Sequence, residues 1–257
     1  MQLKKKTRQI RGLLGALQDP WPAVLDSLRL QRRPYTAQLR NGVRFRLEAG
    51  QGDWFTLYEV AIRRDYLPAD TARLAGCDVI DVGANFGAFA VLASGLIGPG
   101  GTVHAFEPDP QTFARLVENV TANGCQNVVC HNQALSDRDG ESSFFRYGKS
   151  AMGSLYRRVA NRDGSDAQEI RVQTRDIRAI LADWPRRIGL LKIDCEGAEY
   201  TLFDRLGDLS LDNVDHICIE THEVPGRSSA EIVSCLQERG FNVPAGRTFV
   251  ASRFAEA

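Results

Sequence analysis

Apolar positions near the start of the chain recur at helical spacing. Ile10, Leu13, Leu14 and Leu17 form one set and Trp21, Val24, Leu25 and Leu28 a second. Asp19-Pro20 lies between them and predicts an N-cap followed by proline at the first helical position. The period then changes. Val43, Phe45 and Leu47 alternate after Asn41-Gly42, which predicts a hairpin over residues 39–47 with a tight turn. Trp54, Leu57, Tyr58, Ile62 and Tyr66 return to helical spacing over residues 54–67, and Pro68 ends that element. From residue 78 apolar runs alternate with amphipathic ones. Strands are predicted at 78–82, 102–106, 127–130, 190–194 and 214–220, with helices at 87–96, 110–123, 176–183, 200–206 and 229–239. Short strands at 142–145 and 170–172 and a closing hairpin over 241–254 complete the pattern.

Strand–helix alternation of this kind predicts an α/β fold, a Rossmann-like, mostly parallel sheet with helices on both faces. The division is a basic helical and hairpin extension over 1–52 and an α/β domain over 53–257. A length of 257 residues with 43% hydrophobic and 25% charged content suits one large α/β domain with an appended segment. No apolar run is long enough for a transmembrane segment, and the N-terminus lacks the apolar core of a signal peptide, so a cytoplasmic protein is expected. The six cysteines form no CxxC pair and read as reduced core thiols.

A net charge of zero argues against a nucleic-acid partner. The charge is unevenly distributed, however: residues 1–50 hold eleven basic side chains against Asp19, Asp26 and Glu48. That basic arm suits a weak peripheral contact with an anionic membrane surface or a phosphorylated substrate, beside the plainer reading of a solvated terminus. Its apolar faces suit burial against the protein's own body or against a twin subunit in a homodimer.

Candidate chemistry begins at the end of the first parallel strand. Asp81-Val82-Gly83-Ala84-Asn85-Phe86-Gly87 joins that strand to a helix, where doubly wound folds bind ligands and glycine admits close approach. The second strand ends in Phe106-Glu107-Pro108, and an acid there can accept hydrogen bonds from both ribose hydroxyls. Asn85 stands where a dinucleotide fingerprint needs its second glycine, and Asp81 would repel a pyrophosphate but could reach the ammonium of an amino acid through bound water or backbone. The expected cofactor is therefore S-adenosyl-L-methionine (SAM) rather than NAD. An NAD-dependent oxidoreductase, a nucleic-acid methyltransferase and a noncatalytic SAM-binding protein are the alternatives.

The loop, Phe106-Glu107-Pro108, Asn132-Gln133-Ala134-Leu135-Ser136-Asp137, Leu191-Lys192-Ile193-Asp194-Cys195-Glu196-Gly197-Ala198-Glu199 and Glu220-Thr221-His222 occur in that order. The series resembles the FkbM family of class I methyltransferases over about residues 53–245. The resemblance implies a seven-stranded sheet whose last hairpin supplies an antiparallel strand. It also implies methylation of a hydroxyl on a sugar, glycan or secondary metabolite, and places Ala134 and Leu135 beside the adenine. Cys195 and Arg175 depart from the family pattern.

Lys192 and Asp194 alternate along the fourth strand and share a face. A lysine in an apolar strand needs an acidic partner, expected in Asp194, Glu220 or another nearby acid. Glu220 and His222 point the same way from the end of the fifth strand. His222 is the expected general base, oriented by Asp194 or Glu220. The alternative is a divalent metal such as Mg²⁺ held by Asp194, Glu220 and His222. Glu196 is expected to cap the following helix or to touch acceptor hydroxyls. Residues 149–155, Arg157-Arg158 and 161–168 are expected around the acceptor.

Overall fold

The computed structural model describes residues 2–147, 153–155 and 167–254. Six strands form the central sheet: β3 (Asp78–Val82), β4 (Val103–Phe106), β5 (Val128–His131), β9 (Ile188–Ile193), β10 (Val214–Glu220) and β11 (Thr248–Ser252), in the order β11-β10-β9-β3-β4-β5. All pairs are parallel except β10 with β11. Among the described residues the central sheet thus has six strands rather than the expected seven. The predicted closing hairpin supplies one full strand, and its first half contributes only a bridge between Asn242 and Ser252. Pro244 removes a ladder donor in that half, and Gly246 takes φ 154°.

Alternate residues of β3 enter separate cores, as parallel strands buried on both faces must. Val79 packs with α4 (Ala88–Ile97) and α5 (Pro110–Ala122). Ile80 and Val82 pack with α6 (Ile177–Ala182), α7 (Glu199–Leu206) and α8 (Ser229–Glu238). A separate small sheet holds β6 (Ala134–Ser136), β7 (Gly140–Arg146) and β8 (Gln168–Asp176) in the order β6-β8-β7. The chain leaves the main sheet at Asn132, whose Nδ2 donates to the carbonyls of Glu107 and Pro108 at 2.9 and 3.0 Å.

The N-terminal segment carries α1 (Gln2–Ala16), α2 (Trp21–Ser27) and a hairpin of β1 (Tyr35–Gln38) and β2 (Arg44–Leu47), whose first strand begins before the predicted 39–47 range. Its Leu13, Leu17, Phe45 and Leu47 are fully buried in one cluster with Leu57, Val79, Phe86 and Leu116. Asn119 fastens the segment to the cofactor loop. Its Oδ1 accepts from Arg46 N at 2.7 Å, and its Nδ2 donates to Phe86 O at 2.8 Å. The helix expected over 54–67 is shorter: α3 (Asp53–Leu57) runs into a π-helical turn over Tyr58–Arg63, and Arg64 breaks it at φ 60°. That break carries Tyr66 to the carboxyl ends of the strands. No helix among the described residues is long and apolar enough to cross a membrane.

Candidate active site

A cavity opens at the carboxyl ends of β3, β4, β9 and β10, the position at which doubly wound sheets bind ligands. The loop after β3 forms its floor. Gly83 sits at φ 80°, and a Cβ there would lie 1.9 Å from the carbonyl oxygen of Asp194, so glycine is required twice over. Asn85, at φ 50°, accepts a hydrogen bond from Phe86 N on its own Oδ1 at 2.8 Å. This local bond is what lets asparagine hold a left-handed conformation.

Glu107 faces the loop from the end of β4. Its Oε2 accepts from Asn85 N and its Oε1 from Asp109 N, both at 2.9 Å. Burial drives its carboxyl up to about 7, against the pull of those two N–H groups. Each oxygen keeps a second lone pair for a ligand hydroxyl. With Ala84, Asn85, Pro108, Ala134 and Leu135 also lining the cavity, the residues fit a nucleoside carrying vicinal hydroxyls, as SAM does.

Two residues expected to hold the cofactor do not reach it. Asp81 is fully buried and is absent from the cavity lining. Its Oδ1 lies 2.8 Å from Lys192 Nζ, its register neighbour on β9, which also donates to Gly83 O at 3.0 Å. Lys192 therefore pairs with Asp81 rather than with Asp194 or Glu220. Burial opposes its charge, but Asp81 and Asp194 outweigh that and push the ammonium above its usual range. Gly87 starts α4 at φ 87° and abuts Leu116, where a Cβ would come within 2.7 Å of a side-chain carbon. Its role is packing of α4 on α5.

His222 meets an acid that the sequence did not reveal. Its Nδ1 lies 2.7 Å from Oε1 of Glu199, a fully buried residue. Glu199 also accepts from Cys195 N at 3.2 Å and Gly197 N at 2.8 Å, so it ties the turn after β9 to the imidazole. Capping of that turn falls to Glu199, not to Glu196. The Nε2 of His222 looks into the cavity, 3.4 Å from Glu196 and 3.9 Å from Glu220. Burial resists its protonation, yet the Glu199 hydrogen bond and the charges of Glu196, Glu199 and Asp194 raise it to about 9. The ligand-free histidine is thus an imidazolium at neutral pH, held by Glu199 rather than by Asp194 or Glu220.

Glu220 and Asp194 share a different partner. The Tyr66 hydroxyl lies 2.7 Å from Glu220 Oε2 and 3.3 Å from Asp194 Oδ2. Arg247 approaches Glu220 at 3.4 Å, and Glu59 completes the acidic wall, its carboxyl raised to about 7 by burial and by Glu220 and Asp65. Neither Tyr66, Glu59 nor Arg247 carried a sequence signal. Gly153 and Leu155 line the cavity, and Ser154 Oγ donates to Glu196 O at 2.7 Å. Lys149, Arg157, Arg158 and most of 161–168 lie outside the described residues.

The expected metal set of Asp194, Glu220 and His222 is replaced by Asp194, Glu199 and His222, whose ligand atoms lie within 4.8 Å of one another. Glu199 already spends one oxygen on Cys195 N and His222 and the other on Gly197 N. That donor set suits an imidazolium and two turn amides better than a divalent ion, which would have to displace them.

A family model described as "Methyltransferase FkbM domain" matches residues 81–243. The chain is similar to the 31-O-demethyl-FK506 methyltransferase FkbM of Streptomyces tacrolimicus, at 30% identity over 82% of this chain and 90% of that protein. It is 26% identical to Methyltransferase 1 of Beauveria bassiana, over 66% of this chain and 74% of that one. A crystal structure of an FkbM methyltransferase from Methylobacillus flagellatus aligns with 96% of this chain and 59% of its own, at 13% identity and a TM-score of 0.48. The family match spans more than half of the sequence and includes the loop, Glu107, Asp194, Glu199 and His222: the chain belongs to the FkbM family of SAM-dependent methyltransferases.

Proposed function

We propose that this protein transfers the methyl group of SAM to a hydroxyl oxygen of a sugar, glycan or secondary metabolite. The observation that carries this reading is that Glu59, Asp194, Glu196 and Glu220 line one cavity with His222 and Glu107, with His222 Nε2 3.4 Å from Glu196 and 3.9 Å from Glu220. Carboxylates in such a lining are acceptors for the hydroxyl hydrogens of a polyol, and a histidine among them can take the proton that an alcohol releases on methylation. The name of the Streptomyces relative describes an O-directed reaction and supports oxygen as the acceptor atom.

Bound SAM supplies a methyl group on a positively charged sulfonium. Glu107 binds the ribose hydroxyls, and the Ala134-Leu135 stretch borders the base. Asp194, Glu220 and Tyr66 orient the acceptor. The histidine accepts the hydroxyl proton at Nε2, while Glu199 fixes the ring through Nδ1. A positive ligand beside the acidic wall favours the neutral imidazole, because one cation raises the cost of a second. Proton transfer at His222 needs no divalent ion.

Hydroxylated macrolides and glycosides incubated with the protein and SAM should gain one methyl mass, with or without chelator. Methylation confined to amines would overturn the oxygen assignment. Loss of activity with chelator would restore a metal to the mechanism.

A further inference from the structure

Helix α2 places an apolar face in water while burying another. Ala23 and Val24 are in the core, yet Trp21, Leu25 and Leu28, at i, i+4 and i+7, are 62%, 38% and 46% exposed. Leu30, also 62% exposed, joins this face because its N–H donates back to Leu25 O at 2.8 Å. Arg29, Arg32 and Arg33 follow directly and are all exposed. The nearby acid does not offset them: Asp26 is buried, bonded to the Tyr35 hydroxyl at 3.0 Å and to Gly50 N at 2.8 Å. All of these residues precede the segment matched by the family model.

We propose that the outer face of α2 and its three arginines form a docking surface for an anionic lipid bilayer. A tryptophan and leucines flanked by arginine match the chemistry of an interface where acyl chains meet acidic headgroups. A second copy of the chain fits less well, since a symmetric pairing through this face would bring two sets of arginines together. A nucleic-acid backbone would meet the charges and leave the apolar row exposed. The basic surface reaches the catalytic cavity's edge: a depression lined by Lys6, Arg29, Gly50 and Trp54 shares Phe55 and Thr56 with that cavity.

The test is sedimentation of the full chain with phosphatidylcholine vesicles, with and without phosphatidylglycerol, together with tryptophan emission. The protein should pellet with the anionic vesicles only and be released by salt, and its emission should shift to the blue. Trp21→Phe should abolish the shift. The Arg32→Glu, Arg33→Glu double variant should weaken vesicle binding by about tenfold or more, with SAM binding by calorimetry unchanged as the check on folding. Failure to pellet with anionic vesicles at low salt would overturn the proposal. So would a concentration-dependent blue shift without lipid, which would mark a dimer, or binding to duplex DNA without binding to vesicles.

Discussion

His222 Nδ1 and Glu199 Oε1 lie 2.7 Å apart, in a pocket where Glu199 has no solvent exposure. The bond fixes the ring so that Nε2 faces the acidic wall, and it helps raise the imidazole to about 9. Glu199→Gln keeps the shape and removes the charge. The acid limb of the pH dependence of kcat/KM should move to lower pH by about one unit or more, because a neutral neighbour no longer favours imidazolium. An unmoved limb would mean that Glu199 does not set the histidine's protonation.

The same shift has a consequence for stability. A histidine raised from 6.5 to about 9 binds its proton more tightly in the folded protein. Its contribution is full below the unfolded value and is lost as pH rises through about 9. Glu59 and Glu107, each raised from 4.5 to about 7, act in the same direction at lower pH. Without ligand, the melting temperature should fall between roughly pH 5 and pH 9. For His222 alone the loss would be about 3 kcal/mol. His222→Gln should flatten the upper part of that decline, and an unchanged slope would contradict the assignment.

Glu107 holds the loop through Asn85 N and Asp109 N and is the proposed ribose contact. Glu107→Ala should weaken SAM binding by about 1–3 kcal/mol, the cost of losing charged hydrogen bonds, as read by calorimetry. Affinity in the parent protein should rise with pH up to about 7 as the carboxylate forms. Unchanged affinity in the variant would mean that Glu107 does not touch the ribose.

Asp81 and Lys192 make a buried pair, so removing one partner should cost far more than removing both. Lys192→Met should lower stability by about 3–5 kcal/mol, and adding Asp81→Asn should recover part of it. Additive losses in denaturant titrations would show that the two do not act as a pair.

Tyr66→Phe deletes the hydroxyl shared by Asp194 and Glu220. The two carboxylates then repel without a bridging donor. Their orientation toward the acceptor should fail, with kcat falling more than SAM affinity. Equal effects on both would place Tyr66 in cofactor binding instead.

Local chemistry made part of this site legible in the sequence. The loop at Gly83–Gly87 and the acid at Glu107 announce themselves because a strand end, a turn and a helix start are contiguous in the chain. Relations set by strand order were not legible. The segment around Asp81 suggests a cofactor ligand, because nothing in it shows that Lys192 stands opposite on β9. Tyr66 reaches Asp194 across 128 residues, delivered by a break at Arg64 that helical spacing does not foretell. Glu199 stands three residues after Glu196, and only the turn's left-handed Glu196 and Gly197 swing it under the imidazole. The sheet lost its seventh strand to Pro244 and Gly246, which the alternation of apolar residues does not register.

The proposed reaction is methyl transfer to oxygen with His222 taking the proton. The most direct measurement uses SAM labelled with deuterium in the methyl group, a panel of hydroxylated glycosides and macrolides, and NMR of the products. The label is expected on a hydroxyl oxygen with the parent protein and is expected to be lost with His222→Ala, while SAM still binds that variant. Label on nitrogen or carbon, or undiminished transfer by His222→Ala, would contradict it.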